Sequence, residues 1–209
     1  AEAAMKEAPS GNYLLLNGSK SDNNSFMFNK GYTKVLRPSI NDKKINIAGE
    51  TWVKDWLYED AYKFTDEILR NGLETSGIIA ANDTLAAASI NALSERRLAG
   101  KVVVVGHDAD LDGCQRIVEG TQLATVYKPI DILAKTAVEY AINMAKGGLV
   151  QTNEIINDGK YEVPYYKIEP ILVTKENMLD TVIKDKFHAL EDVYMNVPKS
   201  QWPDKEQNE

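Results

Sequence analysis

Residues 105–110 read "VGHDAD" and follow directly on a run of valines, so a histidine and two acids stand at the end of what reads as a buried strand. Four chemistries use such a grouping. A metal site needs three or four converging ligands, but strand alternation sets His107 and Asp108 on opposite sides, and the other histidine, His188, lies in a polar tail. A phosphoacceptor of the response-regulator kind needs an acid pair just after its first strand to hold magnesium. Here that place reads "LNGSKS", with no acid between the strand and Asp22. Hydrolysis by paired carboxylates needs two acids flanking one bond. No pair is marked out for it, and neither a nucleophile elbow nor a glycine-rich phosphate loop is present. The fourth chemistry is recognition of an uncharged, hydroxyl-rich ligand. It takes carboxylates and amides for the hydroxyls, a cationic donor, and an aromatic face for the C–H surface. Asp22, Asn24, Trp52 or Trp56, Asn82, Asp108 and Lys128 supply that set.

Five loops must bring those residues together, and the chain has the elements to do it. Apolar runs at 12–16, 44–49, 76–82, 101–106 and 123–127 read as strands. Between and after them, helical patterns cover 24–37, 59–72, 83–100, 111–120 and 130–148. In the second of these, Ala61, Phe64, Thr65, Ile68 and Leu69 fall on one face of a 3.6-residue period and "NG" closes the helix. Strand–helix alternation of this kind predicts an α/β fold, a parallel sheet with helices on both faces. Ligands bind such sheets outside the carboxyl ends of the strands. The polar residues above follow strands one to five in turn, so they line one edge. Next to them, Asp83 reads as a helix cap, and Asp110 as a cap or a solvated residue before the following helix.

Composition narrows the functions. A net charge of −7 without a basic run argues against nucleic acid as the main partner. No apolar run approaches the ~20 residues that span a bilayer. The single cysteine, Cys114, excludes internal disulfides and reads as a small buried side chain. The opening "AEAAMKEAPSG" reads as the last turns of a helix, which suggests a fragment or a processed piece. Residues 150–174 are turn-rich with short extended runs, 175–187 hold a short helix, and the polar tail 188–209 is expected to trail over the surface or stay disordered, with Tyr194 and Trp202 as its two large apolar side chains.

Several blocks carry a resemblance. "SDNNSFMFNKGYTKVLRP", "WVKDWLYEDA", "ANDTLAAASINALSERRLAGKVVVVGHDADLDGCQRIVEGTQLATVYKPIDILAKTA" and "DTVIKDKFH" resemble the bacterial D-xylose-binding proteins. These belong to the type I periplasmic sugar-binding family, related to ribose and galactose binders and to the effector domains of sugar-responsive repressors. The likeness runs from about residue 11 to 188. It implies a two-lobed, non-enzymatic, extracytoplasmic receptor that needs no cofactor or metal, closes on its sugar and is read by a membrane partner, an ABC permease or a sensor histidine kinase. The alternative it leaves is a repressor's effector domain.

Residue by residue, the resemblance implies that Asp22 accepts from sugar hydroxyls beside the Asn24 amide. Trp56 stacks on the sugar, and Trp52 is wall or core. Asn82 and Asp108 bind hydroxyls, and Lys128 donates from the hinge side. It further implies that 11–128 form the second lobe, that 129–165 belong to the first, that 166–187 cross back, and that most of the first lobe is absent. The helix at 130–146 agrees: Ile130, Leu133, Ala134, Ala137, Val138, Ala141, Ile142 and Ala145 form an apolar stripe that must be covered. The missing lobe is expected as another chain or segment.

Overall fold

The computed structural model describes residues 1–203. Its first unit comprises Ala1–Tyr127 together with the chain from Leu172 onward. Helix α1 (Glu2–Glu7) leads into β1 (Gly11–Asn17), α2 (Asn23–Asn41), β2 (Ile45–Trp52), α3 (Tyr58–Arg70), β3 (Gly77–Ala80), α4 (Asp83–Ser94), β4 (Val103–Val105), α5 (Leu111–Glu119) and β5 (Thr125–Tyr127). Strands β2, β1, β3 and β4 lie side by side in that order, all parallel. A parallel bridge from Val105 to Ala124 carries the sheet toward β5.

Alternation along the strands divides the core in two. Leu14, Leu16, Ile78, Ala80 and Val104 face one side and pack with Ala61, Leu69, Leu85, Ala88 and Leu93 of α3 and α4. Tyr13, Leu15, Ile79 and Val105 face the other, against Ala4 of α1 and Tyr32 and Leu36 of α2. Residues 13–16 of β1 and 77–80 of β3 are thus all buried, in one layer or the other, which explains why these two strands read as unbroken apolar runs.

Several element ends differ from the sequence reading. The sequence pattern ends the first helix at Arg37, yet α2 continues through Pro38 to Asn41, where Ile40 still packs on the core. The Ala-rich helix α4 ends at Ser94, not near Gly100. Its chain turns at Arg97 (φ 57°), and the Leu98 N–H returns to Leu93 O at 2.9 Å, a left-handed cap that keeps Leu98 and Ala99 on the core. After β8 (Ile171–Val173), which pairs with β5, the chain makes a wide turn at Leu179–Ile183.

The tail is corrected too. Residues 188–203 are built onto the first unit. A short helix α7 (Leu190–Val193) buries Val193 and Tyr194. Gln115 Nε2 donates to Asp192 O at 2.8 Å and Asn196 Nδ2 to Glu119 Oε1 at 2.7 Å, so the segment is strapped to α5. Tyr194 stands 6.1 Å from the Trp202 ring. The end of the tail, residues 204–209, lies outside the described residues.

The second unit, Lys128–Ile171, holds α6 (Ile130–Ala145) and an antiparallel hairpin of β6 (Glu154–Asn157) and β7 (Glu162–Tyr165). No residue of α6 is buried, and Leu133 and Val138 are 55% and 59% exposed, so the apolar stripe is bare in this chain. Among the described residues no helix is long and apolar enough to cross a membrane.

Candidate functional site

The carboxyl ends of the parallel strands present five of the six candidate residues on the first unit. Asp22 caps α2: its Oδ1 accepts from the Asn24 N–H at 2.8 Å, which leaves its second oxygen for other donors. Asn24 sits exposed in the first turn of α2. Behind them β1 ends in Asn17, fully buried, whose Nδ2 donates to Glu50 Oε1 at 2.8 Å while Asn29 Nδ2 donates to Asn17 Oδ1 at 2.9 Å. This Asn17–Asn29–Glu50 network was not evident in the sequence, where nothing separates those amides from loop residues.

Trp56 ends a 3-10 turn, Lys54–Trp56, in which Asp55 (φ 51°) and Trp56 (φ 58°) are both left-handed. That conformation is a genuine outlier for a side chain as large as tryptophan. It sets the half-buried indole onto the main core and against Gly18, where a Cβ would fall 2.1 Å from Cη2. Trp52, at the end of β2, instead tilts against Phe26 with ring centroids 4.8 Å apart. It borders an open depression of about 320 Å³ with Ser19, Lys20, Ser21, Lys54 and Asp55.

Asn82, not Asp83, caps α4: its Oδ1 accepts from the Leu85 N–H at 2.9 Å. The expected cap at Asp83 is therefore corrected. Asp83 is 0% exposed and is a hydrogen-bond hub. It accepts from Gln122 Nε2 at 2.7 Å, from Thr125 Oγ1 at 2.9 Å and from the Asp110 N–H at 3.0 Å. Burial pushes its carboxyl up to about 6, with the Gln122 and Thr125 bonds working the other way.

The opening motif folds over this hub. Strand β4 stops at Val105, so alternation does not separate His107 from Asp108, contrary to the sequence reading. Asp108 (φ 99°) and Ala109 (φ 55°) are left-handed, and Asp108 Oδ1 stands 3.0 Å from His107 Nδ1, although the pair lacks hydrogen-bond geometry and the buried Nδ1 has no hydrogen-bond partner. His107 also packs on Phe28, centroids 4.5 Å apart, at the edge of an apolar cavity of about 250 Å³. Asp110 occupies the cap position of α5 without a side-chain cap bond, and burial together with the Asp108 and Asp112 charges raises its carboxyl. Cys114 is buried beneath, as its setting implied. Lys128 opens the second unit, directly after β5. Among the described residues no three His, Cys, Asp or Glu side chains are grouped to hold a metal ion.

Consecutive left-handed residues therefore occur at Trp56 and at Asp108, the stacking and carboxylate candidates. Non-glycine residues held this way cost of order 1–3 kcal/mol each, and such strain concentrates at ligand sites. The edge offers carboxylate and amide acceptors, amide donors and an aromatic face, which together suit a polar, uncharged ligand.

A family model described as a periplasmic binding protein domain matches residues 1–149. The D-xylose-binding periplasmic protein of Haemophilus influenzae is 43% identical over 195 residues, 93% of this chain and 59% of that protein. The protein of the same description from Escherichia coli is 44% identical over 189 residues, 90% of this chain and 57% of that one. The chain thus spans under two thirds of the length of these relatives. Among solved structures, an ABC transporter solute binding protein from Clostridium phytofermentans with bound β-D-glucose superposes at a TM-score of 0.79 and 21% identity, covering 92% of this chain and 65% of its own. At that identity the likeness shows the fold alone.

Proposed function

The chain belongs to the periplasmic binding protein domain family, and from that premise we propose that its first unit is the second lobe of an extracytoplasmic, non-enzymatic receptor for D-xylose or a close aldopentose. The observation that carries this reading is the gathering of Asp22, Asn24, Trp56, Asn82 and Asp108 at one edge of the sheet, with Trp56 and Asp108 each held in a left-handed pair. Lys128 follows β5 and is the cationic donor of the set.

Each group has one task. The Trp56 ring meets the C–H face of the pyranose. Asn82 spends its oxygen on the Leu85 N–H, so its Nδ2 is the donor toward a sugar oxygen. The free oxygen of Asp22 and the carboxylate of Asp108 accept from hydroxyls. Such a pattern fixes the hydroxyl arrangement, since a buried donor or acceptor left unpaired costs about 1–3 kcal/mol. Residues 129–165 belong, on this reading, to the family's other lobe, most of which lies outside this chain. Closure then shifts the population toward the form that a membrane partner reads, an ABC permease or the outer domain of a sensor kinase.

A titration tests this. Tryptophan emission of the full-length protein is followed with D-xylose, D-ribose and D-glucose. A saturable response to D-xylose, weaker or absent for the others, is the expected result. A flat response to all three overturns the reading.

A further inference from the structure

We infer that Asp83 is a positioning residue for the Asp108 loop, a buried carboxylate that fixes the ligand-binding conformation of residues 107–110 from behind the site. The inference rests on the reading of Asp108 as a sugar ligand.

The loop needs an outside restraint. Asp108 and Ala109 are both left-handed, and neither is glycine. Strained backbone of this kind persists only where the surroundings over-determine it. Three of the loop's backbone groups are tied, directly or through Thr125, to one residue. The Asp83 N–H donates to His107 O at 2.8 Å. The Asp110 N–H donates to Asp83 Oδ2, and the Ala109 N–H donates to Thr125 Oγ1 at 3.1 Å, whose hydroxyl proton is in turn given to the same Oδ2. Three contacts go elsewhere: the Asp108 N–H donates to Val126 O at 2.9 Å, and Ala109 O meets His188 Nε2 at 2.7 Å and the Cys114 thiol at 3.6 Å.

The fold makes room for this carboxylate. A Cβ at Gly106 would fall 2.0 Å from Asp83 Oδ1, and one at Gly113 would fall 2.4 Å from Oδ2. A second layer holds it in turn: Arg116 Nη2 donates to Asp83 O at 2.9 Å, and Arg116 Nε to Gln122 Oε1 at 3.1 Å, which aims the Gln122 amide at Oδ1. With no exposed surface, Asp83 cannot reach a ligand and acts through Asp108. Oδ2 takes both loop-side donors, the Asp110 N–H and the Thr125 hydroxyl, and Oδ1 takes Gln122, so an asparagine can keep the loop-side pair whereas alanine removes all three acceptor contacts.

Two readouts on the full-length protein test the inference. The first is hydrogen exchange at the Ala109 and Asp110 amides. In Asp83→Ala, which removes both acceptor oxygens, these should exchange at least tenfold faster while the β1 and β3 amides keep their protection. Unchanged exchange at 109 and 110 overturns the inference. The second is a double-mutant cycle on D-xylose affinity. Asp83→Ala alone should weaken binding at least tenfold, and should add less than twofold when Asp108→Asn is already present. Full and independent effects of the two changes overturn it, since Asp83 would then act by another route. If Asp108→Asn alone leaves affinity unchanged, the reading of Asp108 fails, and the exchange result still judges the role of Asp83 in the loop. Where Asp83→Ala does not fold, Thr125→Val takes its place: exchange should quicken at Ala109, whose bridge to Asp83 is removed, and not at Asp110, which keeps Asp83 Oδ2, with D-xylose affinity weakened; unchanged affinity overturns the inference.

Discussion

The Trp56 indole lies so close to Gly18 that no side chain fits between them: a Cβ on the glycine would fall 2.1 Å from Cη2 and 2.2 Å from Cζ2. The end of β1 and the turn after β2 are thereby joined at the edge where the ligand is proposed to bind. Gly18→Ala should push the ring out of place. D-xylose affinity of the full-length protein is expected to fall at least tenfold, with a shifted tryptophan emission maximum in the unliganded state. Unchanged affinity with a shifted maximum would remove Trp56 from the site.

Asn82 combines two jobs that substitution can separate. Its oxygen caps α4 and its amide nitrogen is the proposed sugar donor. Asn82→Asp keeps the capping oxygen, so urea denaturation should give a stability within about 0.5 kcal/mol of the parent, while D-xylose binding is lost or much weakened. Asn82→Ala should lose binding and, in addition, about 1 kcal/mol of stability.

Asp83 should leave a mark on the pH dependence of stability. Its carboxyl is pushed up to about 6 when folded, against 3.8 for an ordinary aspartate. Between those values the folded state holds a proton that the unfolded state has released. Stability therefore falls as pH rises through this window and levels off above it. The full effect is on the order of 3 kcal/mol. The groups around it are Asp110, Arg116, Gln122, Thr125 and Cys114; of these Asp110 and Cys114 are shifted in the same direction, the thiol far above the window tested. Asp83→Asn keeps Asp110 but removes the Asp83 proton. The fall measured by urea denaturation at pH 4, 5, 6 and 7 should thus be shallower in the variant, and an equal slope would contradict the assignment.

Core substitutions should follow the two-layer sheet. Leu16 is 0% exposed and packs with the α3 and α4 side chains. Leu16→Ala should cost about 2–5 kcal/mol by urea denaturation.

The stripe on α6 gives the opposite expectation. Leu133 and Val138 are more than half exposed, so Leu133→Glu or Val138→Lys should change the stability of this chain by less than about 0.5 kcal/mol. In the full-length protein, where the first lobe is proposed to cover this face, the same changes should cost about 1.5–3 kcal/mol. Equal, small effects in both would refute that assignment of residues 129–165.

Much of the sheet was legible because burial on both faces leaves an unbroken apolar run from Tyr13 to Leu16 in β1 and from Gly77 to Ala80 in β3. The face of α3 was legible because Ala61, Thr65 and Leu69 repeat at the helical period and are buried as a set. Other features depend on tertiary context. Asn82 and Asp83 are both good caps, and composition cannot tell which one the fold draws inward. The cavity left by Gly106 and Gly113 decides it, and those glycines lie 23 and 30 residues away in sequence. The turn that presents Trp56 has no glycine to announce its left-handed pair. In the tail, a polar background hides Val193 and Tyr194, whose burial needs the surface of α5.

The path of the chain also bears on how the molecule is made. The first unit is interrupted at Tyr127 and resumes at Leu172, and its late portion contributes Val173, Met178, Val182 and Val193, all 0% exposed. During synthesis from the amino end, the first strands and helices emerge well before the β8 partner of β5 exists. The nascent unit must wait through the whole of residues 128–171 with that edge unpaired, and unpaired strand edges are where growing chains associate wrongly. Expression that stops anywhere before Leu172 should accumulate as aggregate, so the shortest product worth making runs at least to Tyr194.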